Sequence, residues 1–437
     1  MKTSIYKIFQ IGDVITGKTP SKKLINQYGD NIPFYTPSDI KDERFIEKTQ
    51  RYLSKEGAKN LKKNIIPQNS VLVTCIGSDM GKVFINKLEG VTNQQINSIV
   101  PNKKIDYLFL YYYLKSSRKL LKQLSLGGST MPIINKTDFS TIELKIPNLK
   151  EQKKISNFLS NFDEKIEINQ KINQTLEKIS KILFKSWLVD FDPVKEKIEG
   201  RSTELSKEIS DLFPNSLEES EFGKIPNGWK TYCLEDLINV IGGLSYKAEF
   251  LGKGVNLVTM GCVSPKKRFN FRGLKKYSGE FKDQHALKSK DIVISTRDVT
   301  QYRVTLGAPA FIPLALENSI LATNMYKINN LNDNLPPHLL FEILRTERYR
   351  QNIISSAKGS TVLMLTKDSL LKYKVVLPPD SLKRYLENIL ETFNLKIENL
   401  YLETKNLIEL RDILVTKLIS GEIKISDTKK IIQEARV

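Results

Sequence analysis

Short polar loops carry the side chains of this chain that could do chemistry. That chemistry is hydrogen bonding to phosphates and base edges rather than bond making. In the first third the loops are Lys18-Thr19-Pro20-Ser21, Thr36-Pro37-Ser38-Asp39, Gly77-Ser78-Asp79-Met80-Gly81-Lys82 and Asn93-Gln94-Gln95. Lys18, Thr19, Ser38, Ser78, Lys82, Asn93 and Gln94 are the candidate contacts there, with Ser129 and Thr130 further on. The second half offers Lys266, Lys267, Arg268, Arg272, Arg297, Arg303, Lys358, Ser360 and Thr361. Arg can read guanine and Asn or Gln can read adenine in the major groove, whereas Lys and Ser/Thr mostly hold phosphates. For any single one of these residues, a solvated loop position is an equal reading. Gly128-Ser129-Thr130 and Gly359-Ser360-Thr361 can equally be turns that position the next strand.

No catalytic set is visible. The two Pro-Pro sites, Leu335-Pro336-Pro337-His338 and Leu377-Pro378-Pro379-Asp380, do not fit the Asn- or Asp-Pro-Pro-aromatic motif of a methyltransferase. There is no phosphate-binding Walker loop, so no translocase. His285 and His338 lie far apart and build no His-metal nuclease. Asp380 with Glu422 and Lys424 is a faint echo of a nuclease carboxylate set. Its proline marks a helix start that Pro147 also marks, so we read it as structural. No metal site and no cofactor are expected on this chain.

The excess of positive charge, +19 overall, is unevenly placed. Residues 1–150 carry +12 and residues 201–378 carry +7, while 151–200 and 379–437 are each neutral. A polyanion is the natural partner of the two basic stretches; a basic surface kept for solubility is the bland alternative. The N-terminal residues Met1 to Tyr6 lack the apolar run of a signal peptide, and no run is long enough to span a bilayer. Cys75, Cys233 and Cys262 form no framework. We therefore expect a cytoplasmic, reduced protein with no membrane contact.

The elements that must position these loops occur twice. Ile146-Pro147 returns as Leu377-Pro378, 231 residues later, and the shift holds without a gap for roughly 60 positions. Upstream the match thins: Thr92-Asn93 meets Thr323-Asn324, Val71 to Thr74 parallels Ile292 to Ser295, and Gly29 and Thr36 parallel Gly252 and Thr259. Strands are predicted at Ile32 to Tyr35, Val71 to Thr74, Val255 to Val258 and Ile292 to Ile294, with a late helix over Asp106 to Leu124 or His338 to Ile353. Each globular part reads as a compact α+β domain. The globular parts differ and the segments after them agree, which suits one scaffold carrying two different readers.

Those segments are long helices. Glu151 to Trp187 has no Pro or Gly, and Ile155, Leu159, Phe162, Ile166, Ile172, Leu176, Ile179, Leu183 and Trp187 recur at steps of mostly three and four. Leu386, Leu390, Phe393, Ile397, Leu400, Leu407, Leu410, Leu414 and Leu418 repeat the pattern, and Gly421 ends it. Both seams falter at mid-length, near Asn169-Gln170-Lys171 and Tyr401-Leu402-Glu403. An antiparallel coiled coil between the two is expected; separate packing on each globular part is the alternative. The expected domains are 1–150, the helix 151–200, a linker with the second globular part over 201–378, and the helix and tail 379–437. Paired helices would act as a ruler, so four residues inserted near Asn169-Gln170 would add about 6 Å.

With these features in place, the chain resembles the specificity subunit of type I restriction–modification systems over its whole length. The sharpest stretch is Ser186-Trp187-Leu188-Val189-Asp190-Phe191-Asp192-Pro193-Val194, then Leu212-Phe213-Pro214 and Ile225-Pro226-Asn227-Gly228-Trp229. The entry segment Ile11-Gly12-Asp13 to Gly17-Lys18-Thr19-Pro20-Ser21, Pro33 to Ile40, and Pro147 to Glu151-Gln152 leading into Ile155 also fit. The resemblance implies two α+β target-recognition domains separated by two long antiparallel helices, related by a pseudo-twofold duplication. It implies that each domain reads half of a split, asymmetric double-stranded DNA site. Two modification subunits would bring S-adenosylmethionine and methyl transfer, and restriction subunits would join for cleavage. One departure stands out: the second helix begins Pro379-Asp380-Ser381-Leu382-Lys383, without the pair Glu151-Gln152 of the first. A coiled-coil scaffold that bridges nucleic acids without sequence preference is the competing reading.

Overall fold

The computed structural model describes residues 2–21, 25–40, 43–77, 79–124, 133–265, 267–298, 304–331, 334–357, 359 and 363–428. The chain forms two compact units, residues 1–171 with 401–437, and residues 172–400. The packing thus does not follow the four consecutive segments of the sequence. Each globular part is grouped with half of each long helix.

In the first unit, a sheet runs in the order Gly12–Thr16, Ile96–Pro101, Val71–Thr74, Val83–Asn86, Phe45–Ile46. A second sheet joins Ile32–Tyr35 in parallel to Gly90–Thr92. Val71 to Thr74 is buried on both faces, which explains why it reads as an unbroken apolar run. The strand Glu143–Pro147 pairs antiparallel with Thr3–Lys7 and leads straight into the first long helix, Leu149–Leu188. Pro147 is tolerated because it ends the strand, opposite Thr3.

The second unit repeats this plan. Its sheet runs Ile238–Gly242, Met325–Asn330, Ile292–Ser295, Pro309–Phe311, and Ile320–Leu321 lies parallel to Leu251–Val258. Lys374–Leu377 pairs with Lys230–Cys233 before the second long helix, Asp380–Ser420. Gly421 ends that helix with φ +79°, a conformation that favours glycine. The late helix is broken in both units, into Tyr107–Ser116 and Arg118–Leu124, and into Pro337–Ile343 and Glu347–Ser356. Ser117 and Thr346 cause the breaks. The Ser117 hydroxyl donates to Tyr113 O at 2.8 Å, and the Thr346 hydroxyl caps Tyr349 N at 3.2 Å.

The long helices run antiparallel within each unit. In the first unit Asp163 meets Arg411 at 2.5 Å and Asn169 Nδ2 donates to Glu403 at 3.0 Å. In the second, Asn173 Nδ2 donates to Ile397 O at 3.4 Å and Trp187 stacks on Tyr385. Partner numbers fall as first-helix numbers rise, which is the expected coiled-coil direction. Leu159, Leu414 and Leu418 enter the core of the first globular part; Trp187, Leu382 and Leu386 enter that of the second. The expected seam needs correction at its centre. Ile172 and Ile179 remain 37% and 43% exposed, whereas Asn169 and Ser180 are buried. Two helices and one globular part do not surround the whole circumference, so an apolar face is left open.

The missing Glu-Gln pair of the second helix has a local replacement. Gln152 is buried, accepts from Asp106 N at 2.9 Å and donates to Lys104 O and Pro147 O. At the matching position Lys383 is buried and donates to Asn334 O at 2.9 Å. Both side chains tie a helix start to the loop before the late helix of their own unit.

Candidate nucleic-acid interface

In the first unit four loops converge where strands end. Gly17 N donates to Ile96 O at 3.1 Å and Lys18 N to Thr92 O at 2.8 Å. Asn93 N donates to Tyr35 O at 3.0 Å and Cys75 N to Gln95 O at 2.7 Å. These bonds join the loops after Thr16, Tyr35, Thr74 and Thr92 into one junction. Gly17 is required by the closeness of the crossing: a Cβ there would lie 2.0 Å from Asn93 O.

Several expected contacts sit on this junction. Lys18, Thr19, Ser38 and Gln94 are exposed, and the Thr19 hydroxyl donates to Gln94 Oε1. Ser38 shares a 2.8 Å hydrogen bond with Thr36, whose own N–H and hydroxyl bind the buried Asp39 carboxylate. Asn93 is buried, and its side chain bonds Gln95 through both amide atoms, so it shapes the turn. Lys82 pairs with Asp79 at 2.9 Å beside the turn that Thr74 holds. Ser78, Ser129 and Thr130 lie outside the described residues.

The second unit builds the same junction from different residues. Gly243 N donates to Met325 O at 3.0 Å and Leu244 N to Leu321 O at 2.8 Å. Ala322 N donates to Val258 O and Thr296 N to Asn324 O, both at 2.9 Å. A Cβ at Gly243 would meet Ala322 O at 1.9 Å. The backbone pattern therefore equates Gly17 with Gly243, Thr19 with Ser245, Asn93 with Ala322, Gln94 with Thr323 and Gln95 with Asn324. This corrects the sequence match of Thr92-Asn93 with Thr323-Asn324, which slips by two residues. Thr36 and Thr259 do correspond, each preceding a short 3-10 turn.

Among the expected contacts of this unit, Arg272 is exposed on a turn pressed against the junction. The Thr259 hydroxyl donates to Gly273 O at 2.8 Å, and Asn270 N donates to Cys262 O at 2.8 Å. Arg297 follows Thr296 and is half-buried, in a short ladder with Leu363–Met364. The neighbouring Asp298 carboxylate accepts from Thr305 N, Thr305 Oγ1 and Leu306 N. Lys267 is exposed. Arg268 is not part of an exposed cluster with it. Its guanidinium is buried, pairs with Glu342 at 2.8 Å and Glu177 at 3.5 Å, and lies over the Phe341 ring. Arg345 covers the same ring and completes the ion network. This group fastens the globular part to the long helix, so Arg268 is withdrawn as a DNA contact. Lys266, Arg303, Lys358, Ser360 and Thr361 lie outside the described residues.

Sequence reading missed Leu244, Ser245, Ala322 and Thr323. The available signal is the match of Ile241-Gly242-Gly243 to Ile15-Thr16-Gly17. No group of three or more His, Cys, Asp or Glu among the described residues could hold a metal ion. Burial pushes the Cys75 thiol up to about 12 and the Cys262 thiol to about 11, so both stay neutral. No helix among the described residues is long and apolar enough to cross a membrane.

Fold and site together define a duplicated α+β protein with two polar loop junctions, one per unit, on a shared scaffold of paired helices. The chain belongs to the type I restriction modification DNA specificity domain family, whose profile matches residues 3–178 and 226–410. It has the role of a DNA-sequence specificity subunit, a recognition component. It is 27% identical over 443 residues to the type I restriction enzyme MjaIX specificity subunit of Methanocaldococcus jannaschii, covering 97% of this chain and 94% of that one. It is 24% identical over 478 residues to the HindI specificity subunit of Haemophilus influenzae, covering 96% and 100%. The fold is similar to the crystal structure of a type I system S subunit from M. genitalium, with a TM-score of 0.59 at 17% identity and 96% of each chain covered.

Proposed function

We propose that each loop junction reads one half of a split double-stranded DNA target and that the chain itself carries out no catalysis. The observation that carries this reading is the repeated junction: one backbone hydrogen-bond pattern presents Lys18, Thr19 and Gln94 in one unit and Leu244, Ser245 and Thr323 in the other. A non-specific bridging scaffold has no use for two chemically different surfaces on the same frame. The net charges of +12 and +7 in the two globular stretches supply attraction to phosphates.

On this reading, two modification subunits bind the long helices and bring S-adenosylmethionine with the methyl-transfer site, and restriction subunits join them. The complex works in the cytoplasm, where the DNA is. The open apolar positions of the helices, including Ile179 and Ile182 in one unit and Ile413 in the other, support such docking. The test is methylation-sensitive sequencing of DNA from cells carrying this chain with its modification subunit. The expected result is a motif of two defined halves around an unspecified spacer. A continuous motif or a single palindrome would refute it.

A further inference from the structure

The equivalence of the two junctions assigns a matched reading position, and this inference rests on the DNA-reading function proposed above. Of the three side chains in Asn93-Gln94-Gln95, that of Asn93 is occupied with Gln95, donating to its Oε1 at 2.9 Å and accepting from its backbone N at 3.1 Å. Gln94 is the one exposed at the tip. Its Oε1 accepts from the Thr19 hydroxyl, which fixes the face of the amide. A carbonyl oxygen has a second lone pair, and the amide nitrogen has two hydrogens. The Gln94 amide can therefore still accept from adenine N6 and donate to adenine N7, the bidentate pairing that selects adenine.

At the same backbone position the second unit has Thr323, half-buried, with the exposed Ser245 in place of Thr19 and Leu244 in place of Lys18. At the two positions matched to Gln94 and Lys18, the second junction thus has neither a carboxamide nor a cation. Leu244 packs against Leu257, Tyr277, Ile320 and Ala322, whereas the methyl of the half-buried Thr323 suits contact with the C5-methyl of thymine. We infer that Gln94 and Thr323 are the matched specificity-determining residues of the two readers. Gln94 selects adenine in one half-site, and Thr323 selects thymine, by its methyl group, in the other. The two readers thus differ in bases because one position on a common frame was filled with different chemistry.

The experiment uses the full chain assembled with its modification subunit. The methylated motif is first read by sequencing. Binding is then measured by fluorescence anisotropy on duplexes in which each base pair of the motif is changed in turn. Gln94→Ala is expected to lose preference for adenine at one position of one half-site, by about 10- to 100-fold, with every other position unchanged. Gln94→Arg is expected to move that position toward guanine. Thr323→Ser removes only the methyl and is expected to flatten the thymine preference at one position of the other half-site, while Thr323→Val keeps it. Gln94 is exposed, so its variants fold, and circular dichroism of each complex checks this. If the variants keep the wild-type profile, or the loss spreads over a whole half-site while the split motif persists, the assignment is wrong and DNA reading by the chain stands. If the wild-type complex shows no split motif, the underlying reading falls with it.

Discussion

A single methyl group at Gly243 should weaken one unit and leave the other intact. The glycine crosses the backbone of Ala322 so closely that a Cβ would lie 1.9 Å from its carbonyl oxygen and 2.6 Å from its carbonyl carbon. Both obstacles are backbone, so no side-chain rotation relieves them, and the two loops must part by roughly 1 Å. Parting them strains the hydrogen bonds Gly243 N to Met325 O and Leu244 N to Leu321 O. Overpacking of this kind costs about 1–3 kcal/mol and each lost hydrogen bond about 1 kcal/mol. We expect Gly243→Ala to destabilise the second unit by about 3 kcal/mol. The neighbouring Gly242 has open space where its Cβ would go, so Gly242→Ala should stay within about 0.5 kcal/mol of wild type. Both tryptophans, Trp187 and Trp229, are buried in the second unit, so tryptophan fluorescence reports its unfolding alone. With a urea dependence of about 2–3 kcal/mol per molar, the fluorescence midpoint should fall by about 1 M for Gly243→Ala. Gly17→Ala, with a Cβ 2.0 Å from Asn93 O, should leave that midpoint in place and impair binding to the other half-site. Coincident midpoints for Gly243→Ala and Gly242→Ala would show that the close crossing does not hold the junction together.

Further outcomes follow from the buried and exposed charges. Arg268→Ala strips a buried cation from Glu342 and Glu177 and should cost about 3–5 kcal/mol in the same fluorescence assay. Lys267→Ala should keep stability and lower the salt slope of DNA binding by about 0.9 if it neutralises one phosphate. Asp163→Ala removes the partner of Arg411 and of the Tyr112 hydroxyl and should cost about 3–5 kcal/mol, read as a lowered thermal midpoint of the first unit. Lys165→Ala, which breaks the exposed pair with Glu403, should change that midpoint by less than about 1 kcal/mol. Burial raises the Asp291 carboxyl above its usual range, even though Lys288 N hydrogen-bonds to it. A carboxyl with a raised folded-state pKa contributes stability at low pH, and that contribution is lost as pH rises through the folded value. Asp291→Asn should therefore be neutral or stabilising at pH 7 in urea melts, with the gain vanishing below the ordinary aspartate range; a gain that grows as pH falls would contradict the sign.

Much of the scaffold was legible because its signals are local. Apolar spacing found both long helices to within a few residues, Pro147 and Pro378 marked their approach, and Gly421 marked the end of the second. The strands Val71–Thr74 and Ile292–Ser295 were readable as apolar runs. The candidate interface was legible only in part. Residue type points to Lys18, Thr19, Ser38 and Gln94, which sit together on one junction. Residue type points equally to Arg268, which Glu177, Glu342 and the Phe341 ring hold in the interior, and nothing near it in sequence announces them. The seam at Ile172 and Ile179 was read from period alone, and period does not say how much of a helix circumference a partner covers.

The duplication, the neutral helices and the basic globular stretches were fixed by the order of residues, since repeats, helical period and net charge are properties of the chain itself. Which residues of the two copies correspond at the junction was decided by tertiary structure. A constant shift of 231 pairs Asn93 with Asn324, whereas the backbone hydrogen bonds pair Asn93 with Ala322 and Gln94 with Thr323. Insertions in loops slide the sequence match, but a hydrogen bond between two strands that pass within 3 Å tolerates no such slip. The position that distinguishes the two readers is therefore defined by the crossing of two backbones, and the constant shift of 231 misses it by two residues.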